Sequence, residues 1–311
     1  ARRAQPAWAA LPAIERGRAV SALANAVRDH ADLLAQIVVA EQGKPIGQAR
    51  GEVDAAKAFI RFAAEQARRI EGEIVPSDLP DEEIQIRRLP HGVVVGLTAW
   101  NYPLALAARK LGPALVAGNA FILKAHEFTP LSGLALAALA EKVGLPAGLF
   151  NVVTGDGRTL GRALVDAADM VTMTGSTRAG REIYSAGAEK MKVLRLELGG
   201  KAPFIVMDDA DINRAVDAAI VARFTNCGQI CTCNERMYLH RAIADEFLAK
   251  FTARVAALTI GQPMTDPDLG PKVSRGEVDK VEAITAASIA AGAEALVRGG
   301  PLRDGAYSKG H

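Results

Sequence analysis

The stretch Gly92-Val93-Val94-Val95-Gly96-Leu97-Thr98-Ala99-Trp100-Asn101-Tyr102-Pro103 decides the fold. Its first half is an apolar, β-branched run of strand length with no charge in it, the pattern of a strand buried on both faces. Leu104 to Val116 then reads as a helix, Phe121-Ile122-Leu123-Lys124 as the next strand, and Thr129 to Val143 as the next helix. The alternation continues through Phe150-Asn151-Val152-Val153, a short helix after Arg158, Met170-Val171-Thr172-Met173, a helix after Ser176, and Val193-Leu194-Arg195-Leu196. Apolar strands separated by helices predict an α/β fold with a doubly wound parallel sheet. Such a sheet binds its ligand in the crevice at the carboxyl ends of its strands, so functional residues are expected just after strands. Trp100-Asn101, Lys124, Gly155-Asp156-Gly157, Gly175-Ser176-Thr177 and Glu197 all stand there.

Outward from this core, the first seventy residues read as helix. Val20, Leu23, Val27, Leu33, Leu34 and Ile37 recur at helical spacing, Gly43-Lys44-Pro45 breaks the run, and a second helical stretch covers Ile46 to Ile70. Ile74 to Asp81 reads as a turn-rich link, and Ile84-Gln85-Ile86-Arg87 alternates like an exposed strand, either a surface hairpin or an edge that pairs with another subunit. Beyond Lys201 a new unit begins, with strands at Phe204–Met207 and Met237–Leu239 and helices at Ile212–Phe224, Ala244–Leu258 and Val278–Ala291. The expected organisation is a helical part over 1–70, a hairpin over 71–90, the main sheet over 91–201 and a further α/β region over 202–311.

Composition narrows the classes. The 311 residues are 50% hydrophobic, and 37 Lys and Arg against 35 Asp and Glu leave a formal charge of +2. That apolar share excludes disorder, and without a basic block a nucleic-acid or membrane-surface partner is not expected. Apolar runs stop short of a membrane span and no leader opens the chain, so a cytoplasmic protein is expected. The first residue is Ala1 rather than Met, which points to a missing N-terminus.

Several residues carry chemistry. Cys227, Cys231 and Cys233 form an odd cluster that is neither a disulfide framework nor, lacking a second ligand pair, a zinc site, so no metal is expected. A reactive thiol is the better reading, although physics alone does not choose among the three. Glu197 ends an apolar strand. Buried there without a partner it would have a raised pKa and be poised as a general base. Asn101 offers an amide donor for a developing oxyanion. Gly175-Ser176-Thr177 provides a hydroxyl and amides at a helix start, suited either to a phosphate or to plain N-capping.

Together these residues resemble the aldehyde dehydrogenase superfamily, along essentially the whole chain. The resemblance rests on Trp100-Asn101-Tyr102-Pro103, Lys124 to Glu127, Gly175-Ser176-Thr177, Glu197-Leu198-Gly199-Gly200-Lys201 and Asn226 to Cys231 with Arg236. Glu71-Gly72-Glu73-Ile74, Ala108-Arg109-Lys110 and Cys231 to Arg236 are similar to bacterial lactaldehyde and glycolaldehyde dehydrogenases. The resemblance implies a Rossmann-like NAD-binding domain, part of a catalytic domain and a short oligomerisation hairpin. Cys231 would attack the aldehyde, Asn101 and the Cys231 amide would hold the oxyanion, and hydride would pass to the nicotinamide to leave a thioester. Glu197 would then activate water to release the acid. Lys124 and Glu127 would contact the adenosine ribose, where a carboxylate favours NAD over NADP. Ser176 and Trp100 would lie along the pyrophosphate, and Leu97, Thr98, Gly155, Gly175 and Leu198 complete the implied cofactor site.

The resemblance also implies truncation at both ends, because family members continue past the position of His311. Cys227 and Cys233 carry no implied role and are expected to be packed. Ala125-His126 departs from the common family pattern, and His126 is expected to face solvent. The leading expectation is NAD-dependent oxidation of a small 2-hydroxy aldehyde such as lactaldehyde or glycolaldehyde by a homodimer or homotetramer. The alternatives are a semialdehyde dehydrogenase, for which Arg109 would meet a substrate carboxylate, and an inactive dinucleotide-binding fragment. A Cys231–Cys233 redox pair is disfavoured on the expectation that both lie on one strand, where bridging geometry is poor.

Overall fold

The computed structural model describes residues 1–302, 304–308 and 310–311. The chain divides into two compact units, Ala1–Ile37 with Arg50–Leu198, and Val38–Ala49 with Gly199–His311. The helical 1–70 segment is thus shared between the units.

The chain opens with α1 (Gln5–Ala10), α2 (Ala13–Asp29), α3 (Ala31–Gln42) and α4 (Ile46–Glu65). Val20, Leu23 and Val27 form the buried stripe of α2, as their spacing predicts. The strands β1 (Glu73–Pro76) and β2 (Glu83–Ile86) then pair antiparallel, Glu73 facing Ile86 and Pro76 facing Glu83. This corrects the reading of Ile74–Asp81 as a link. Glu73–Pro76 becomes a strand through its pairing with β2, and Pro76 closes it where the ladder ends. Ile74, Ile84 and Ile86 are all exposed on this hairpin.

The central sheet is built from β3 (Val93–Leu97), β4 (Ala120–Lys124), β5 (Phe150–Val153), β6 (Met170–Thr174) and β7 (Val193–Glu197). Its order is β5-β4-β3-β6-β7 and every pair is parallel, so the doubly wound α/β sheet read from the sequence is the one that forms. The crossover helices are α5 (Pro103–Val116), α6 (Leu131–Lys142), α7 (Gly157–Ala167) and α8 (Thr177–Ala188). The chain enters at β3, steps out to β5, then returns to the other side of β3. Strand order therefore reverses between β3 and β6, where such sheets bind ligands. Right-handed crossovers place α5 with α6 on one face and α7 with α8 on the other.

Every residue of β3 is buried, which satisfies its continuous apolar run. Val95 and Leu97 join Val165, Val171, Met173 and Ile183 in one core cluster on the α7–α8 side. Each such side chain contributes roughly 1.5–3 kcal/mol when fully buried. Gly96 is required for space, because a Cβ there would strike the ring of Phe121 on β4. At the start of α5 the carboxylate of Glu52, from α4 and only 2% exposed, accepts from the amides of Leu104 (2.9 Å) and Ala105 (3.2 Å). That acceptor satisfies helix-end donors that Tyr102, at the N-cap, leaves without a side-chain bond.

In the second unit β8 (Ala202–Val206) and β9 (Asn234–Leu239) pair in parallel, with α9 (Ile212–Phe224), α10 (Ala244–Ala256) and α11 (Arg275–Ala290). Val206, Val216, Ala219, Ile243 and Phe247 make its core, and Phe247 stacks on Phe251 with ring centres 5.7 Å apart. Among the described residues no helix is long and apolar enough to cross a membrane.

Candidate active site

The strand register fixes the first set of site residues. Leu97 pairs with both Lys124 and Met173, so the ends of β3, β4 and β6 lie level. Thr98 is buried and donates its amide to the Lys124 carbonyl at 3.3 Å, and the half-buried Trp100 and Asn101 follow it in the loop to α5. At the end of β4 the Lys124 ammonium, its side chain 7% exposed, lies 2.7 Å from the Glu127 carboxylate. Burial works against the Glu127 charge, but the Lys124 hydrogen bond and the nearby His126 hold its carboxyl below the usual range. His126 faces solvent only in part. Its side chain is 23% exposed, Nδ1 accepts from the Phe128 amide at 3.2 Å, and the ring packs on Phe128.

Two helix starts point toward this crevice, and they differ in charge. At α7 the exposed Asp156 is the N-cap, its carboxylate accepting from the Arg158 amide at 2.7 Å. An acid in that position opposes a phosphate. At α8 the neutral Ser176 is the N-cap, accepting from the Ala179 amide at 3.2 Å, and the first turn holds no acid but an exposed Arg178. The amides that open α8 have no acceptor within the helix itself. Ser176 therefore caps a helix whose start also suits a pyrophosphate, and Gly155, with φ +137°, supplies the turn into α7. The Gly175 amide donates to the Glu197 carbonyl at 3.0 Å, and Leu198 packs where a Cβ on Gly180 would sit. The donors and the Lys124–Glu127 pair are those a dinucleotide needs, so the residues present fit that group.

Glu197 departs from expectation. It is exposed, because β7 is the edge strand of the sheet, so the burial argued for it from sequence is absent. It lines a cleft of about 390 Å³ floored by Thr172, Thr174 and Arg195 and walled by Arg109 and Lys110 of α5. The cleft follows from topology: α5 and α6 cover β3 to β5, whereas α7 and α8 lie on the opposite face. Lys110 was missed as a site residue, although it falls on the buried stripe of α5 between Ala107 and Ala114. It donates to Thr172 Oγ1 at 3.1 Å. Burial first, then Arg109, pushes its pKa down to about 8, with Glu197 acting the other way. Arg109 is exposed, its guanidinium 5.8 Å from the centre of the Phe59 ring.

In the second unit the three thiols, all free, separate by environment. Cys231 is exposed, Cys227 is half-buried and Cys233 is buried. Burial pushes the Cys227 and Cys233 thiols up. Cys231 and Thr232 form a turn before β9, so the strand argument against a Cys231–Cys233 pair does not apply. Asn226 (φ 52°), Cys227 (φ 55°) and Gly228 (φ 71°) are consecutive left-handed residues. Only the third is glycine, and each of the others costs roughly 1–2 kcal/mol. A Cβ on Gly200 would meet the Cys231 carbonyl, so that glycine lets the two backbones approach.

A parallel sheet with a reversed strand order and a Lys–Glu pair at its strand ends are features of a dinucleotide-binding α/β protein. The chain belongs to the Aldehyde dehydrogenase family, matched over residues 1–311, whose members are oxidoreductases acting on aldehydes. It is 50% identical to the 3,6-anhydro-alpha-L-galactose dehydrogenase of Vibrio sp. (strain EJY3), over 100% of this chain and 65% of that protein. It is 40% identical to the lactaldehyde dehydrogenase of Escherichia coli (strain K12), over 99% of this chain and 65% of that protein. A solved 3,6-anhydro-L-galactose dehydrogenase in complex with NAP (NADP) superposes with a TM-score of 0.96 at 49% identity, over 100% of this chain and 65% of that one. The chain thus spans about two thirds of the length of the relatives it matches.

Proposed function

We propose that this chain carries the dinucleotide-binding and nucleophile-bearing part of an NAD(P)-dependent dehydrogenase that oxidises a 2-hydroxy aldehyde to its carboxylic acid. The observation that carries this reading is the exposure of Cys231 beside two more withdrawn thiols, which supports Cys231 as the nucleophile. The Cys231 sulfur adds to the aldehyde carbon, while the Asn101 amide and the Cys231 N–H hold the oxygen that becomes negative. The bound dinucleotide supplies the hydride acceptor. Glu197 takes a proton from the water that frees the acid from Cys231. Trp100, Lys124, Glu127, Gly175 and Ser176 hold the dinucleotide, with Leu97, Thr98, Gly155 and Leu198 shaping its bed.

Glu127 accepts from both ribose hydroxyls and repels a 2′-phosphate, which favours NAD, although the relative with NADP bound makes both dinucleotides necessary in the assay. For substrate, the similarity to 3,6-anhydrogalactose dehydrogenases supports a hydroxylated sugar aldehyde, with lactaldehyde and glycolaldehyde as the smaller candidates. A semialdehyde is the second reading, favoured by the exposed Arg109 on the cleft rim beside Arg195. The exposed isoleucines of the β1–β2 hairpin support self-association as a homodimer or homotetramer.

The test is reduced-dinucleotide formation by this chain with NAD or NADP and, in turn, 3,6-anhydro-L-galactose, lactaldehyde and succinate semialdehyde, read against chain concentration. A burst near one equivalent or sustained turnover that vanishes in Cys231→Ser supports the reading, and the fastest aldehyde names the substrate class. No burst with any of the three, or an equal burst in Cys231→Ser, overturns it.

A further inference from the structure

We infer that Lys272 is a positioning residue for the nucleophile loop: its ammonium, 2.7 Å from the Cys227 carbonyl, locks the left-handed turn that leads into Cys231. The inference rests on Cys231 being the nucleophile.

Three consecutive left-handed residues persist only if their surroundings overdetermine them. The structure shows what does so, all within the second unit. The Asn226 amide donates to Gln48 Oε1 at 2.7 Å. The Cys227 thiol donates to the Gly270 carbonyl at 2.9 Å. Gln229 accepts from the Val273 amide at 3.0 Å and returns its own Nε2 to the Asn226 carbonyl at 3.0 Å. Lys272 adds the only one of these bonds whose donor is a cation, and bonds of that kind are about twice as strong as neutral ones.

The bond lies between Gly270 and Val273 contacts on one side and the turn on the other, so the short run from Gly270 to Val273 grips the turn at three points. Lys272 is half-buried, and burial lowers its pKa while the neighbouring Cys227 acts the other way, as for an ammonium withdrawn from water against the loop. Removing it leaves a half-buried carbonyl without its donor at the centre of a strained turn. Cys227 then escapes toward solvent, and Cys231, four residues along, loses its fixed direction. Lys272 meets the turn at the Cys227 carbonyl, and so acts through the Cys227 backbone.

The test needs no cofactor. The chain, Lys272→Met and Lys272→Arg are alkylated with iodoacetamide, and the rates at Cys227 and Cys231 are read separately by peptide mass mapping. In the unaltered chain Cys231 reacts well ahead of Cys227. In Lys272→Met the Cys227 rate rises about tenfold relative to Cys231, the change expected for losing one charge-assisted hydrogen bond. Lys272→Arg, which keeps a cationic donor, restores the original ratio. Dehydrogenase assays of the same variants show a fall in kcat with KM nearly unchanged. If Lys272→Met does not fold by circular dichroism, Lys272→Gln is read in its place. A ratio within twofold of the unaltered chain in a folded variant overturns the inference. Absent dehydrogenase activity in the unaltered chain would instead overturn the proposed function, and the alkylation ratio would still decide the role of Lys272.

Discussion

Lys110 on α5 donates to the hydroxyl of Thr172 on β6 across 3.1 Å, tying helix to strand at the floor of the cleft. Its pKa falls from 10.5 to about 8 through burial and the Arg109 charge. Below about pH 8 the ammonium is present in both folded and unfolded chain, and folding bears the full cost of burying it. Between about pH 8 and 10.5 the folded chain has shed the proton while the unfolded chain still holds it. Stability from this group therefore rises with pH across that window, by about 3 kcal/mol in all. Lys110→Met removes the effect. Urea melts should show the variant gaining most over the unaltered chain at neutral pH and the gap closing toward pH 10. A constant gap would show that Lys110 keeps an ordinary pKa.

The Lys124 hydrogen bond and nearby His126 hold the Glu127 carboxyl below the usual range. Glu127→Gln removes a negative charge from the ribose position while leaving a hydrogen-bonding side chain. The ratio of NADP to NAD affinity is expected to move about tenfold toward NADP, or about 1.4 kcal/mol. Fluorescence titration of both dinucleotides measures it. An unchanged ratio would place the selectivity elsewhere.

Glu52 joins α4 to the start of α5 through two amide bonds. Glu52→Ala leaves both donors buried, and a loss of about 2 kcal/mol or more is expected in denaturant melts. Glu52→Gln keeps an acceptor but not the charge that complements the helix start, so its loss should be smaller. If both variants lose the same amount, charge has no part in the cap.

Glu197 and Cys231 serve different half-reactions in the proposed chemistry. Glu197→Gln should still release about one equivalent of reduced dinucleotide and then stall, whereas Cys231→Ala should release none. Stopped-flow absorbance separates the two. Full turnover in Glu197→Gln would remove that residue from the hydrolytic step.

The strands were legible because they are buried on both faces, so Val93–Leu97 and Ala120–Lys124 announce themselves by composition alone. The Glu73–Pro76 strand was not, because it is a short, exposed edge whose pairing depends on a partner ten residues away rather than on its own pattern. At the candidate site, motif and position single out Cys231, Lys124 and Ser176, which the structure leaves exposed, paired with Glu127 and capping α8 respectively. The environment of Glu197 was not, since its place at a sheet edge follows from strand order, which local sequence does not state. Lys110 and Glu52 were overlooked for a related reason. Each is a charge on an otherwise apolar helical stripe, and reading the stripe for its hydrophobes hides the exception that matters.

The membership of Val38–Ala49 in the second unit has a consequence for how the chain is made. The Gly47 amide bonds to Asp266, 219 positions later, at 2.7 Å. At roughly 5–20 residues per second on the ribosome, the early segment waits on the order of ten to forty seconds for that acceptor to be synthesised. Within that interval all five strands of the first unit's sheet are synthesised, the last ending at Glu197, before the acceptor for Gly47 exists. The turn ahead of Cys231 is therefore fixed only after every strand of the first unit's sheet has been synthesised.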